Sequence, residues 1–214
     1  MDSANWLIMG GGIPPSISLK EKVDWQARTI ICADSGANHA YLWKIVPDII
    51  CGDLDSIDAK IRGYYERQDV EFLTYPRDKD WTDTELAISI ALSRGAKDLV
   101  FVGLDGGRTD HFFTNYLLIA SLSSKARMRI LNEQGCTYFL NERFHSLRLE
   151  GIQGKNISAI PLTSCQGIFY EGMKYPLEDE TLALGSSRGM SNVALEETVS
   201  IRFASGLLMI NVNE

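Results

Sequence analysis

Short apolar runs alternate with segments of helical periodicity from Trp6 to about Leu131. The apolar runs predict strands at Trp6–Met9, Thr29–Ala33, Ile49–Cys51, Val70–Tyr75, Leu99–Val102 and Met128–Leu131. Between them, apolar residues at helical spacing predict helices at Ala37–Ile45, Ala59–Gln68, Asp83–Arg94 and Asp110–Ser123. Apolar strands that alternate with helices predict an α/β domain built on a mostly parallel sheet with covered faces.

The pattern changes from about Gly135 onward, where no long amphipathic helix is predicted. Short β-rich runs separated by glycines predict strands at Ser146–Leu149, Asn156–Ile160, Thr198–Phe203 and Leu207–Val212. Such a series is typical of a β-sandwich or barrel. We therefore expect two domains, an α/β domain over residues 1–133 and an all-β domain over residues 134–214.

Composition and charge narrow the classes of partner. The formal net charge is −7 and no basic run of five residues occurs, which argues against a nucleic-acid partner. No apolar run approaches the roughly 18–20 residues that span a bilayer, so no membrane association is expected. The stretch Met1–Asn5 lacks the positive charge of a secretory leader, which favours a cytoplasmic protein.

The four cysteines of the chain are widely spaced and form no C-x-x-C pair. This spacing fits neither a zinc site nor a small disulfide framework. Cys32 and Cys51 lie inside apolar runs, and we expect both to be buried as small apolar side chains.

Four acidic segments that contain or adjoin glycine or helix-capping residues are the candidates for chemistry, and three of them follow predicted strands. They are Ala33-Asp34-Ser35-Gly36-Ala37-Asn38, Gly52-Asp53-Leu54-Asp55-Ser56, Lys79-Asp80-Trp81-Thr82-Asp83 and Gly106-Gly107-Arg108-Thr109-Asp110. Ligands of open α/β sheets bind beyond the carboxyl ends of the strands, so several carboxylates are expected on one rim. Mg²⁺ with a polyphosphate would relieve their mutual repulsion.

Asp53 and Asp55 are the sharpest pair in these segments. If the strand continues through Gly52, the two side chains point to the same side. Two carboxylates ~6–7 Å apart repel by roughly 2–3 kcal/mol, a cost that a divalent cation converts into binding. The alternative is a turn in which Asp55 or Ser56 caps a helix beginning at Ile57.

The second cluster consists of Lys79, Asp80, Thr82 and Asp83. Thr82 and Glu85 match a capping box at the start of a helix, which explains them without any catalytic role. Lys79 is placed to reach a phosphate, and Asp80 to hold a metal or position a hydroxyl. A solvated loop of mixed charge is the alternative for the segment.

The segment from Gly106 to Asp110 combines close backbone approach, a fixed cation and a helix start, which suits a phosphate chain. Arg108 would clamp phosphate oxygens, and Asp110 would either approach the metal or cap the helix. Asp34 is placed for a ribose or a metal-bound water. His39 is interpreted as a surface helix residue without a role. The Gly10–Gly12 loop would also let a phosphate approach the backbone, but it matches neither G-x-G-x-x-G nor a Walker A sequence.

In this order, the motifs resemble those of the thiamine pyrophosphokinase (thiamine diphosphokinase) family. The resemblance rests on the four segments above, with the second extended to Ile57, the third to Ala87 and the fourth to His111, and on Ser191-Asn192 much later. It spans nearly the whole chain. It implies an N-terminal α/β domain, a C-terminal β-sandwich and a homodimer. The implied reaction transfers pyrophosphate from ATP to the hydroxyethyl oxygen of thiamine, with Mg²⁺ as cofactor, giving thiamine diphosphate and AMP.

The resemblance also implies roles for individual residues. Catalytic carboxylates would be Asp53, Asp55, Asp80 and Asp83, of which Asp53, Asp55 and Asp80 would bind the metal. The nucleotide would be bound by Asp34, Lys79, Thr82, Arg108 and Asp110. Thiamine would be bound by Ser191 and Asn192.

One departure from the family concerns the substrate ring. Some members place a tryptophan of the second domain beside thiamine, but no tryptophan follows Trp81 here. The side chain that packs on the ring is open, with Met190 as one candidate. Two other functions remain open, a pyrophosphokinase acting on a hydroxymethyl pterin and a non-catalytic nucleotide sensor.

Overall fold

The structure is a computed structural model that describes residues 4–214. Residues 1–3 lie outside the described residues. They belong to the stretch Met1–Asn5, whose lack of positive charge argues against a secretory leader in the sequence. The chain divides into two compact units. The first runs to Ile119 and includes Ile130–Glu133, and the second contains Ala120–Arg129 and Gln134–Glu214. The expected domain bounds, residues 1–133 and 134–214, stay predictions.

The first unit is built on a sheet with strand order β6-β5-β1-β2-β3-β4. Its strands are β1 (Asn5–Met9), β2 (Thr29–Ala33), β3 (Ile49–Gly52), β4 (Glu71–Thr74), β5 (Asp98–Val102) and β6 (Arg127–Asn132). Strands β1 to β5 pair in parallel throughout. The mostly parallel sheet expected from the sequence is confirmed.

Five helices connect these strands, together with a short 3₁₀ turn at Trp25–Ala27. They are α1 (Ile17–Lys22), α2 (Gly36–Leu42), α3 (Ala59–Tyr65), α4 (Asp83–Ser93) and α5 (Thr109–Leu122). Helix α4 ends where the sequence indicates, with Arg94 as C-cap and Gly95 at a φ of +87°. None of the helices in the described part of the chain is long and apolar enough to cross a membrane.

Buried strand residues form the core of the first unit. Leu7, Cys32, Ile50 and Val100 are all fully buried, as expected of a parallel sheet covered on both faces. Because these strands run in the same direction, the loops after β1, β2, β3 and β5 leave the sheet at its carboxyl edge. This shared direction, rather than sequence proximity, collects the acidic segments.

The second unit contains two sets of antiparallel strands, ordered β12-β9-β14-β7 and β11-β10-β13-β8. They are β7 (Gly135–Leu140), β8 (Ser146–Glu150), β9 (Asn156–Pro161), β10 (Cys165–Glu171), β11 (Glu180–Leu182), β12 (Asn192–Val193), β13 (Thr198–Arg202) and β14 (Leu208–Asn213). One apolar cluster draws residues from both sets, including Ile210 and Ile201. A shared core between two antiparallel layers defines a sandwich, which confirms the predicted all-β fold.

Candidate active site

A cleft of about 570 Å³ opens at the carboxyl edge of the parallel sheet. Its lining comes from the loops after β1, β2, β3 and β5 and from the first turns of α4 and α5. The lining residues are Gly11, Gly12, Ile13, Pro14, Ala33, Asp34, Ser35, Ser56, Thr82, Asp83, Thr84, Leu104, Gly106, Gly107, Arg108, His111 and Asn115. The cleft therefore joins parts of all four acidic segments, as the sequence predicts.

Three carboxylates meet beside the cleft, those of Asp34, Asp53 and Asp55. One oxygen from each lies within 4.8 Å of the others. Strand β3 does continue through Gly52, but it ends there and Leu54 adopts a φ of +64°, so strand alternation does not place Asp53 and Asp55 on the same side. A turn, in which the Asp55 amide donates to Asp53 Oδ1 at 3.2 Å, brings the pair together instead.

Asn38 ties the loops that carry these carboxylates. Its side-chain amide donates to the Ser56 carbonyl at 3.1 Å, and its side-chain oxygen accepts the Asp58 amide at 3.0 Å. Helix α3 begins at Ala59, and the Asp58 side chain caps it by accepting the Lys60 amide at 2.8 Å. The alternative in which Asp55 or Ser56 caps this helix is therefore wrong, and both side chains stay on the rim.

The Asp34 carboxylate is partly buried beside other carboxylates. Burial raises its pKa from the ordinary aspartate value, against opposing hydrogen bonds from the Ser35 backbone and the Ser56 side chain, and the neighbouring Asp83 and Asp53 carboxylates raise it further. Its Oδ1 is buried and accepts no hydrogen bond from any described residue. A buried oxygen without a donor, surrounded by like charge, is the environment that a cation would satisfy.

Asp83 lies close to Asp34, in the first turn of α4. A Cβ placed on Gly52 would stand 2.9 Å from Asp83 Oδ1 and 3.1 Å from the Asp34 Cβ, so glycine is required for this approach. Lys79 Nζ lies 3.1 Å from Asp83 Oδ1, and this lysine side chain is only 15% exposed. Lys79 therefore neutralises part of the charge at this side of the cleft.

Asp80 is placed differently from the other aspartates. It is exposed, it lies outside the cleft lining, and it is not one of the three clustered carboxylates. Its assignment as a metal ligand and catalytic group stays a prediction.

Thr82 is the N-cap of α4, and its Oγ1 accepts the Glu85 amide at 3.2 Å. This bond confirms the threonine half of the predicted capping box. Because Thr82, Asp83 and Thr84 all line the cleft, the positive end of the α4 dipole faces it.

The glycines after β1 form the floor of the cleft. The Gly12 amide donates to the Gly103 carbonyl at 2.7 Å, and a Cβ on Gly12 would stand 2.5 Å from the Asp105 carbonyl. His39 stabilises this loop through a hydrogen bond, since its Nδ1 lies 2.9 Å from the Gly10 carbonyl oxygen. The interpretation of His39 as a surface residue is wrong, because it is 6% exposed, and helical spacing alone did not show which face of α2 packs on the sheet.

Arg108 lines the cleft but is held by its own neighbour. Its Nη2 and Nε lie 2.6 and 3.1 Å from the two carboxylate oxygens of Asp110. This pairing lowers the pKa of the Asp110 carboxyl and raises that of the guanidinium. The same planar fork matches a phosphate, so Arg108 is poised to exchange one anion for another.

Two further polar residues of α5 were not identified from the sequence. Asn115 lines the cleft one turn after His111, and the Tyr116 hydroxyl lies 2.9 Å from Asp105 Oδ1 at the loop after β5. For Asn115 the available signal was its spacing of four residues from His111, which places both on one face of the helix.

The predicted thiamine residues lie in the second unit. Ser191 is exposed and has a φ of +56°, and its amide donates to Ser158 Oγ at 3.0 Å. Asn192 is 4% exposed, and its side-chain amide is bonded to the backbone of Tyr175. Their contact with thiamine stays a prediction.

The three clustered carboxylates fit a magnesium ion. Octahedral Mg²⁺ binds oxygens at about 2.0–2.1 Å, so its ligand atoms stand about 3–4 Å apart. The observed separations below 4.8 Å and the unpaired Oδ1 of Asp34 match that requirement after small side-chain rotations.

Fold and site together define a class of protein in which an α/β unit with carboxylates at its strand ends is combined with a β-sandwich. Comparison with known families gives the particular member of that class. The family model for the catalytic domain of thiamin pyrophosphokinase matches residues 21–131, and that for its vitamin B1 binding domain matches residues 144–208. The chain belongs to the thiamin pyrophosphokinase family.

Individual relatives agree with this family. A thiamine pyrophosphokinase of Bacillus subtilis (strain 168) is 29% identical over 168 residues, which are 78% of this chain and 78% of that protein. Thiamine pyrophosphokinase 1 of Oryza sativa subsp. japonica is 27% identical over 208 residues, covering 86% of this chain and 78% of the relative. The crystal structure of thiamine pyrophosphokinase from Bacillus subtilis matches with a TM-score of 0.86 at 26% identity, over 98% of this chain and 99% of that one.

Proposed function

We propose that this protein transfers a pyrophosphoryl group from ATP to the hydroxyethyl oxygen of thiamine, giving thiamine diphosphate and AMP. Membership of the thiamin pyrophosphokinase family supports the reaction. The observation that carries the proposal is the cluster of three carboxylates beside a glycine-floored cleft. Carboxylates collected at the strand ends suit a cation that neutralises a polyphosphate.

Mg²⁺ is the proposed cofactor, and Asp34, Asp53 and Asp55 would hold it, with Asp80 as a further predicted ligand. When bound, it would neutralise the triphosphate and so make the β-phosphorus accessible to an alcohol. The side chains of the chain supply the remaining contacts. Arg108 would release Asp110 and clamp phosphate oxygens, and Lys79 would balance charge beside Asp83.

The backbone contributes to phosphate binding as well. Gly11 and Gly12 line the cleft with backbone alone. A larger residue does not fit at Gly11, because its Cβ would stand 2.0 Å from Ser35 Oγ. The amino end of α4, an 11-residue helix, faces the same cleft through Thr82. Free amides at a helix start stabilise anions, so the triphosphate is proposed to lie between this end and the glycine floor.

In the proposed step, the thiamine hydroxyl oxygen forms a bond to the β-phosphorus of ATP. The bond between that phosphorus and the oxygen bridging to the α-phosphorus breaks, and AMP leaves with the bridging oxygen. The hydroxyl proton passes to an aspartate. Asp83 lines the cleft whereas Asp80 is exposed outside its lining, so Asp83 is the better placed acceptor.

We also propose that the enzyme is a cytoplasmic homodimer. Family resemblance supports the dimer, and the four cysteines, which are free thiols, fit a reducing compartment. Light scattering coupled to size-exclusion chromatography measures the oligomeric state directly. A mass near twice the chain's 23.9 kDa supports the dimer, and a mass near 23.9 kDa contradicts it.

The acceptor test separates the proposed function from its alternatives. The protein is incubated with magnesium-ATP and either thiamine, a hydroxymethyl pterin or no acceptor, and AMP is quantified. AMP release with thiamine alone supports the proposal. Release only with the pterin would identify a different pyrophosphokinase, and nucleotide binding without AMP under any condition would identify a sensor.

A further inference from the structure

The segment that follows β1 and leads to α1 supplies part of the cleft. It comprises residues 10–15, the glycine segment, and four of these residues line the cleft. The loop after β5 holds its middle, because the Gly12 amide donates to the Gly103 carbonyl and the Ile13 amide to the Asp105 carbonyl, both at 2.7 Å. The two ends of the glycine segment are bonded elsewhere, to two side chains at α2.

His39 holds the first end of the glycine segment. It lies in α2 and is buried, and its Nδ1 lies 2.9 Å from the Gly10 carbonyl oxygen. Because a carbonyl oxygen only accepts, the neutral ring donates this hydrogen bond from Nδ1. The loop after β5 packs against the same nitrogen, since a Cβ on Gly103 would stand 3.0 Å from it. The imidazole therefore lies where two loops of the cleft meet.

Trp43 holds the second end of the glycine segment. It is the C-cap of α2 and follows His39 by four positions, which places the two side chains on one face of the helix. Its indole Nε1 donates to the Pro15 carbonyl at 2.9 Å, and the residue is only 1% exposed. One helix face thus donates to the backbone at both ends of the segment.

Both side chains act from outside the cleft. Neither His39 nor Trp43 is among the residues that line it, so neither is placed to contact a ligand there. The helix that carries them packs closely on β1, since a Cβ on Gly36 would stand 2.0 Å from the Met9 carbonyl oxygen. A helix fixed in this way holds the backbone of the glycine segment before any ligand arrives.

We infer that His39 and Trp43 are positioning residues for the triphosphate of ATP, acting through the backbone of the glycine segment. The identity of the ligand rests on the proposed function. A loop that is already ordered loses little conformational freedom when its ligand binds, so the two hydrogen bonds raise the affinity for phosphates without touching them. Loss of either bond should weaken phosphate binding and leave thiamine binding unchanged.

Two amide substitutions at position 39 test the hydrogen bond itself. The asparagine amide nitrogen is bonded to Cγ, as histidine Nδ1 is, whereas the glutamine nitrogen lies one atom further along, like Nε2. Calorimetry on the intact protein measures dissociation constants for magnesium-ATP and for magnesium tripolyphosphate, which lacks the nucleoside. His39→Gln is expected to weaken both ligands about tenfold, and His39→Asn by less than about twofold. The KM for thiamine at saturating ATP should be unchanged in both variants.

Trp43→Phe tests the second bond and decides the question if His39→Gln does not fold. It removes the indole donor and keeps an aromatic ring, and it is expected to weaken ATP and tripolyphosphate about tenfold as well. His145→Gln, which makes the same change at an exposed histidine of the second unit, is the matched control and should alter neither constant. Melting temperatures establish which variants are folded.

Other outcomes separate this inference from the proposed function. Unchanged affinities for both ligands in the folded variants would overturn the inference, and so would a loss for ATP without a loss for tripolyphosphate, which would place the effect at the nucleoside. Equal losses in His39→Asn and His39→Gln would overturn the role of the Nδ1 bond. A wild type that binds ATP but releases no AMP would overturn the proposed function, while the dissociation constants still decide on His39 and Trp43.

Discussion

At the residue scale, the site depends on like charges that share a small space. Asp34 has a buried oxygen without a hydrogen-bond donor, and one carboxylate oxygen from each of Asp34, Asp53 and Asp55 lies within 4.8 Å of the others. Such an arrangement lowers the stability of the folded chain, and it is retained where a bound cation offsets the repulsion between the carboxylates. The carboxylates are therefore expected to affect activity and stability in opposite directions.

Asp53→Asn tests this expectation. Removing one negative charge relieves repulsion around Asp34, so the free energy of unfolding should be unchanged or slightly higher without metal, while turnover falls by orders of magnitude. Denaturant unfolding and the AMP assay measure the two effects. Asp69→Asn, which makes the same change at an exposed aspartate, is the control and should alter neither. Near-normal turnover in Asp53→Asn would remove this residue from the metal site.

His39 gives a prediction about pH at the same scale. Burial lowers the pKa of folded His39 below its ordinary value of 6.5, against the opposing bond to Gly10. The unfolded chain therefore takes up this proton first as the pH falls. The stability that neutral His39 contributes is complete above about pH 6.5 and is lost as the pH falls from there through the folded-state pKa.

His39→Asn isolates that contribution, because an asparagine Nδ2 can donate to Gly10 and does not titrate. Urea unfolding between pH 5 and 7.5 should show a shallower loss of stability in the variant than in the wild type. Parallel curves for the two proteins would contradict a buried neutral His39.

At the element scale, two helical glycines have opposite roles. Gly36, the first residue of α2, approaches β1 so closely that a Cβ would stand 2.0 Å from the Met9 carbonyl oxygen. Gly63 lies inside α3, where the nearest neighbour of a Cβ is Arg67 Nη1 at 3.9 Å. The first glycine permits packing at the site, and the second only weakens its helix.

The paired substitutions Gly36→Ala and Gly63→Ala should change stability in opposite directions. Gly36→Ala is expected to cost about 2–3 kcal/mol because backbone must move. Gly63→Ala is expected to stabilise by about 0.5–1 kcal/mol through helix propensity. Denaturant midpoints measure both, and a stabilising Gly36→Ala would refute the close approach of α2 to β1.

The cap of α4 gives a further stability prediction. Thr82→Ala removes the acceptor of the Glu85 amide and should cost about 1 kcal/mol of unfolding free energy, whereas Thr82→Ser should restore most of it. Urea unfolding of the three proteins checks this order. Equal stability of all three would mean that the cap contributes nothing.

The elements themselves were predictable where the sequence carries a repeated signal. The buried strands β1, β2, β3 and β5 and helix α4 follow from apolar runs and capping residues. Helix α1 has only six residues, too few for a periodic pattern, and β12 has two. The turn at Leu54 was not predictable, because a positive φ is uncommon at a leucine and no residue type at that position signals it.

At the scale of the whole molecule, a parallel sheet brings together residues that are distant in sequence. Asp34, Asp55 and Asp83 belong to different segments of the chain, and each is modest evidence alone. The order of the motifs predicted the family, and the direction of the strands explains why they meet. The hydrogen bonds between the Asn192 side chain and the Tyr175 backbone could not be predicted from the sequence, because the two residues are 17 positions apart.

The fate of the β-phosphorus of ATP tests the central claim most directly. Thiamine and Mg²⁺ are incubated with the protein and ATP labelled with ³²P at the β-position, and the products are separated. The account predicts that the label enters thiamine diphosphate in a 1:1 ratio with released AMP, and that Asp53→Asn abolishes both. ADP as the nucleotide product, with no β-label in the thiamine product, would contradict pyrophosphoryl transfer at this site.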